Sequence, residues 1–377
     1  MIDHIITLDR IELYLIDVPQ KHQFKSGIGI RSSKKTLICK WIDKEGQSGY
    51  GECSCRPDPY YSAEFLDASI LLIQKFIIPK LSPEISFKHL LDVLKQIRGW
   101  NFTKSAIESA ALDLISNNNI GSLLSKELKP SPPVKKVPVG ISIGIHTDPK
   151  EFYDVIQQSI EEGYQRLKFK ISPSIDTKVF DAVNSLLLEN KVYVNFDANG
   201  SYHEDDLKKM AYFVHTYETI IEQPTPPDRF DVLMHAKQLY PDLKICFDEE
   251  VKSIGDLIKL HKLNVLDEVN LKVGRVGGLT NSMQIVNYCF EHNISCWIGG
   301  MFETGIGRIQ NLNVAAFLPN AKAHDLSPSS RYFKEDIIFP EIQMENGFIP
   351  VDSLKSCKVN SENLNKFTTN KVVCTIS

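Results

Sequence analysis

The chain has 377 residues, 42% hydrophobic and 24% charged, with a formal net charge of −4. That balance excludes a surface built for nucleic acid or an anionic membrane, and no apolar run approaches the roughly 18 residues of a membrane span. Met1 to Pro19 interleaves acids with apolar residues, unlike a signal peptide, and the 8 cysteines are scattered without a CxxC pair, which reads as reduced thiols in a cytoplasm.

Residues 5–18 and 35–43 alternate polar and apolar side chains, the pattern of antiparallel strands. Between them Gln23 to Gly29 reads as a loop. Helical periodicity covers 62–80, 86–97 and 103–116, the last with Thr103 placed to cap it. Residues 1–130 therefore form an α+β unit, followed by a Pro-rich linker at Lys129 to Lys136. From Val137 the texture changes. Short strands are predicted at 137–143, 166–171, 192–197, 219–223, 244–248, 268–273, 294–298 and 322–326. Helices are predicted between them, at 149–162, 176–189, 204–216, 228–239, 253–262, 278–292 and 306–317. This alternation predicts an α/β fold, a TIM-type (β/α) barrel over 131–327, modified to seven or eight strands. The alternation stops after Ser327, and 328–377 is expected to return to the first domain.

A barrel gathers its active site at the C-terminal ends of its strands. Three successive strands end on an acid: Asp197, Glu222 and Asp248. Neighbouring strand ends lie about 5 Å apart, so three carboxylates there repel unless a cation joins them. Hard oxygen donors without His or Cys favour Mg²⁺, with Mn²⁺ next. One such acid alone would also read as a helix cap. Asn199, two residues beyond Asp197, would support the site. On strand 166–171, Lys168 and Lys170 share a face while Leu167, Phe169 and Ile171 share the other. Two ammonium groups that close lower each other's pKa, and a lysine near neutrality serves as a general base; two solvated lysines on an edge strand remain the plain alternative. Lys272 ends strand six, across the barrel mouth from Lys170. Amines on both sides of a central metal suit proton removal next to a carboxylate. Arg275, three residues on, is expected to help keep Lys272 neutral by repulsion. The stretch Gly299 to Arg308 brings glycines to a helix start, which reads either as a pocket for a second substrate carboxylate or as a tight turn.

Lys168-x-Lys170, then Asp197, Glu222, Asp248 and Lys272 in this order resemble the enolase superfamily, and within it the muconate-lactonising subgroup. Ala106 to Ala110 with Leu112-Asp113-Leu114 looks like the helix that precedes the barrel in that family. Lys272 to Gly278, Gly299 to Arg308 and Ser329 to Ile337 are similar to the o-succinylbenzoate synthase and N-succinylamino acid racemase family. The resemblance implies a capping domain built from the N-terminal third and the C-terminal tail, with capping loops near 22–30 and 52–61. It implies Mg²⁺ on Asp197, Glu222 and Asp248, Lys170 as the base, and Lys272 stabilising the enediolate, with a cation–π contact to the substrate ring. Lys168 would tune Lys170, and Glu249 would support the metal ligands. Further contacts are expected at Ser142, Phe24, Ser26, Gly299, Gly300, Met301 and Glu303. The implied activity is that of a carbon–oxygen lyase, dehydrating a succinyl-hydroxycyclohexadiene carboxylate to o-succinylbenzoate for menaquinone biosynthesis. The alternative is an N-succinylamino acid racemase using the same two lysines, and the second alternative is a non-catalytic binder of an acidic metabolite. Glu250 departs from the family, where Ser often follows the acidic pair. Ala323-His324-Asp325-Leu326-Ser327 lacks the Asp-x-Asp of dipeptide epimerases, which argues against them. The expected partner is a small dicarboxylate, and a homo-oligomer is left open.

Overall fold

The computed structural model describes residues 4–26, 29–129 and 132–376, without the side chains of 22–26 and 29–31. The contacts expected of Phe24 and Ser26 therefore lie outside the described residues.

The chain opens as an antiparallel sheet of β1 (Ile5–Ser26), β2 (Gly29–Asp43) and β3 (Ser48–Cys53), with a short β4 (Glu84–Ser86) on β1. Across the first pair Ile11 faces Trp41 and Leu13 faces Cys39, all buried. The helix Asn101–Ile115 packs on β3 and is buried nearly all round. A Cβ at Gly49 would fall 2.3 Å from the Ala110 oxygen, and one at Gly51 2.1 Å from the Ala106 oxygen, so glycine is what lets the backbones approach. This helix starts two residues before the cap expected at Thr103. Glu64 instead accepts the Phe102 and Thr103 N–H groups at 3.0 and 3.1 Å, so a distant carboxylate satisfies the first turn.

The expected strand 137–143 divides in two. β5 (Lys136–Pro138) leaves the barrel, and β6 (Gly140–Ile143) enters it beside β7 (Arg166–Lys170). Pro138, with no N–H to donate, ends the first piece. β8 (Tyr193–Asp197), β9 (Ile221–Glu222), β10 (Ile245–Phe247), β11 (Glu268–Leu271) and β12 (Ser295–Ile298) continue the parallel sheet, 7 strands in chain order. Helices alternate with them as the periodicity predicts, from Pro149–Glu161 to Gly305–Ala315. Phe169 and Phe196 turn outward to Phe180 and Phe213 of the helices, at centroid distances of 5.7 and 4.7 Å. Strand alternation then leaves Lys168, Lys170 and Asp197 facing inward.

The eighth strand expected at 322–326 is reduced to one parallel bridge, Val139 to His324. The segment still joins both edges. The Gly140 N–H donates to the His324 oxygen at 2.8 Å, and the Asp325 N–H to the Ile298 oxygen at 3.0 Å. The Ile298 N–H is taken by His324 Nδ1 at 3.0 Å, a side chain standing where a strand carbonyl would be. Burial, with Arg166 nearby, pushes His324 down to about 3 and keeps that nitrogen an acceptor.

After the barrel, β13 (Ile338–Phe339) pairs with β15 (Lys358–Val359), and β14 (Phe348–Pro350) pairs with β5. β16 (Thr368–Thr375) then returns to the first sheet beside β1, with Thr375 opposite Arg10. The cysteines are free and buried, Cys53 and Cys55 with their sulfurs 3.5 Å apart. Among the described residues no helix is long and apolar enough to cross a membrane.

Candidate active site

Parallel register sets the acids side by side. Lys170 on β7 is level with Asp197 on β8, Asp197 with Glu222 on β9, and Glu222 with Cys246 on β10, two residues short of Asp248. All three carboxylates are fully buried. Lys170 Nζ lies 2.6 Å from Asp197 Oδ2 and also donates to the Asn199 side chain. At the other end Lys272 Nζ lies 2.8 Å from Asp248 Oδ2 and 3.3 Å from the Tyr61 hydroxyl. Lys168 Nζ sits beneath the row, 3.1 Å from Glu222 Oε1, 3.3 Å from Asp197 and 2.7 Å from Asp325 Oδ2. Asn199 ties the row together, taking its N–H to Asp197 at 3.0 Å and its amide to Glu249 at 3.0 Å.

Charge pairing corrects two expectations. Burial alone would lower Lys168, but Asp325, Glu222 and Asp197 raise it well above the ordinary range, so it stays charged. Lys272 is likewise raised: burial is the largest effect and opposes the charge, but Asp248 with Tyr61 and Glu249 together outweigh it, and the repulsion from Arg275 is smaller. Arg275 does not keep Lys272 neutral because its guanidinium pairs with the same carboxylate, Asp248, on the other oxygen. That carboxylate is held low by Arg275 and Lys272 against the cost of burial. Glu222 goes the other way, pushed up to about 8 by burial and by the charge of Asp197.

In the glycine-rich stretch, the helix start at Thr304 to Gly307 is already occupied. The N–H groups of Thr304 and Gly307 donate to Glu52 at 3.2 and 3.1 Å, and that of Gly305 to Asp336 at 2.9 Å. The anion at this helix start is thus the protein's own. Gly299 serves close packing, since a Cβ there would fall 2.0 Å from Asn270 Oδ1; at Gly300 it would fall 2.7 Å from the Asp325 oxygen. The Met301 carbonyl accepts Lys34 Nζ at 3.1 Å, and Glu303 accepts the Asn311 amide at 2.9 Å. Ser142 donates to Asp325 at 3.2 Å.

Besides Tyr61, which lies in the capping loop expected near 52–61 and meets Lys272, four residues of this site escaped the sequence reading. Asp325 ends the eighth segment just as Asp197 ends β8, and it pairs with Arg166 and Lys168. Arg166 lies on the face of Lys168 and Lys170 by the same two-residue period, stacked 3.9 Å over Trp297. Asn270 donates to Glu222 at 2.8 Å. Gln223 accepts the Asp248 N–H at 3.2 Å. Asn270 and Gln223 carried no charge or spacing that would have marked them.

Do these residues fit a divalent cation? The carboxylate oxygens are turned toward amines, and among the described residues no cluster of three His, Cys, Asp or Glu closes a cage. The donor chemistry fits nonetheless. Glu222 Oε2 is buried with no hydrogen bond of its own, only the Lys168 ammonium 3.0 Å away, and the charge of Asp197, which together with burial raises Glu222, is what a 2+ ion among oxygens relieves.

The fold and this geometry define a capped β/α barrel whose mouth carries a row of acids between lysines. Residues 151–355 match the family described as enolase C-terminal domain-like. The chain belongs to the enolase superfamily. It is 33% identical to the o-succinylbenzoate synthase of Bacillus subtilis (strain 168) over 377 residues, covering 98% of this chain and 99% of the relative. It is 31% identical to an N-succinylamino acid racemase of Amycolatopsis sp over 350 residues, covering 91% and 92%. A solved enolase-superfamily structure from Listeria innocua Clip11262 superposes with a TM-score of 0.89 at 28% identity, covering 99% of this chain and 100% of that one.

Proposed function

We propose that the chain removes a proton next to a carboxylate of a small dicarboxylate and then releases water, the reaction of an o-succinylbenzoate synthase. The observation that carries this reading is the order Lys170, Asp197, Glu222, Asp248, Lys272 along adjacent strand ends, with an amine at each end of a row of acids. Asp197, Glu222 and Asp248 would hold a divalent cation, Mg²⁺ with Mn²⁺ next, which when bound supplies positive charge against the charge that gathers on the substrate carboxylate. Lys170, whose side chain is 31% exposed, is the amine that reaches substrate and takes the proton. Lys168 stands behind it as a fixed buried charge. Lys272 faces the substrate from the opposite end and offers a cation to the developing negative charge, while Tyr61 and Asp248 orient its Nζ. Asn199 and Glu249 keep Asp197 aimed. β16 beside β1 supports reading 1–130 with 328–377 as the cap of a barrel at 131–327.

Racemisation of N-succinylamino acids is the second reading, favoured by the lysine at each end of the row and by the relatives of that name. It needs an acid and a base on opposite faces of one carbon. Purified protein with Mg²⁺ is assayed on the cyclohexadiene substrate by absorbance loss and on N-succinyl amino acids by optical rotation. Dehydration supports the first reading. Racemisation without dehydration replaces it with the second, and neither activity refutes both.

A further inference from the structure

A buried carboxylate outside the row of acids joins the two halves of the molecule. Glu52 lies next to the last residue of β3 and is 5% exposed. One of its oxygens accepts the Thr36 hydroxyl at 3.1 Å and the Thr304 N–H at 3.2 Å; the other accepts the Thr304 hydroxyl at 2.7 Å and the Gly307 N–H at 3.1 Å. A Cβ at Gly307 would come 2.9 Å from Glu52 Oε2, so the glycine admits the carboxylate. The first-turn N–H groups of a helix have no partner within it, and a negative charge there is favoured. Close by on β2, the ammonium of Lys34 donates to the Ser54 oxygen at 3.3 Å and the Met301 oxygen at 3.1 Å. The segment between Gly299 and Thr304 is therefore held at both ends. Gly299 is pinned to β11 through the Leu271 oxygen at 2.9 Å, and Thr304 to Glu52. Met301 in its middle is tied to Lys34.

We infer that Glu52, assisted by Lys34, is a positioning residue through which the N-terminal sheet sets the shape of loop 299–304 at the barrel mouth. The loop borders Asn270 and Asp325, the neighbours of Glu222 and Lys168. Docking of the cap and shaping of this substrate-side loop are then one event. The catalytic consequence rests on the proposed function; the structural one does not.

The test is Glu52→Gln in the full chain, with two readouts. Burial pushes Glu52 up to about 7, so hydrogen–deuterium exchange is followed at about pH 8.5, where the carboxylate is charged; there it should quicken at Thr304 and Gly307 by about tenfold, the loss expected when hydrogen bonds to a charged acceptor are weakened, while β7 and β8 keep wild-type protection. Unchanged exchange at Thr304 and Gly307, or equal quickening throughout the barrel, would overturn the inference. With the substrate found active in the assay above, KM should rise about tenfold with kcat nearly kept, because the lysines are untouched. A fall in kcat at constant KM would mean a merely structural role and would also overturn it. Lys34→Met, which leaves Glu52 in place, should quicken exchange at the same loop and serves if Glu52→Gln does not fold. Absence of wild-type turnover would sink the proposed function alone, and the exchange result then decides the inference.

Discussion

Glu108 sets two forces against each other at one helix start. Its carboxylate accepts the Thr280 N–H at 2.7 Å, at the first turn of the helix Leu279–Glu291. The helix dipole favours the charged form there, by about 0.3–1 kcal/mol and up to about 2 in partly buried cases. Burial opposes it and wins, pushing Glu108 from 4.5 up to about 7. A carboxyl raised on folding contributes stability that is complete below the unfolded value and lost as pH climbs through the folded one. The distance from 4.5 to about 7 corresponds to about 3 kcal/mol once pH exceeds both. Gln is neutral at every pH and keeps an acceptor oxygen for Thr280. Glu108→Gln should therefore match wild type within about 1 kcal/mol at pH 5 and exceed it by about 2–3 kcal/mol at pH 8.5. Urea unfolding at the two pH values reads this directly. A variant less stable than wild type at pH 8.5 would show that the helix dipole outweighs burial here, and the reasoning would be wrong.

Lys170→Ala should lower turnover by at least about a thousandfold, while calorimetry shows Mg²⁺ binding largely retained. Asp325→Asn leaves Arg166 and Lys168 buried without their shared carboxylate, and should cost about 3–5 kcal/mol in thermal unfolding; a loss under 1 kcal/mol would mean that Glu222 and Asp197 suffice for Lys168. Gly299→Ala should cost about 1–3 kcal/mol, because its Cβ would fall 2.0 Å from Asn270 Oδ1 and push that side chain off Glu222. An unchanged melting temperature would contradict this packing.

The barrel was legible because its strands are short apolar runs separated by amphipathic helices, and because Lys168, Lys170, Asp197, Glu222, Asp248 and Lys272 fall at strand ends where their charge is conspicuous. What escaped depends on three-dimensional partners. Thr103 looked like a cap, yet the acceptor for that helix is Glu64, 39 residues away. The glycines of 299–307 looked like an anion pocket, yet the anions, Glu52 and Asp336, arrive from β3 and from the tail. Repulsion between cations alone predicts a lowered Lys168 and Lys272, while the acids facing these two reverse its sign. Asp325 ends a segment like the other acids, but its strand is only a bridge, so its place in the row was hidden.

The central claim is that oxygens from three adjacent strands share one divalent ion with an amine at each end. Anomalous diffraction from a crystal soaked in Mn²⁺ tests it most directly. The account predicts a single strong peak within about 2.0–2.3 Å of oxygens from Asp197, Glu222 and Asp248, with the ammonium groups of Lys170 and Lys272 on either side. A peak bound elsewhere, or lysines turned away from the ion, would contradict it.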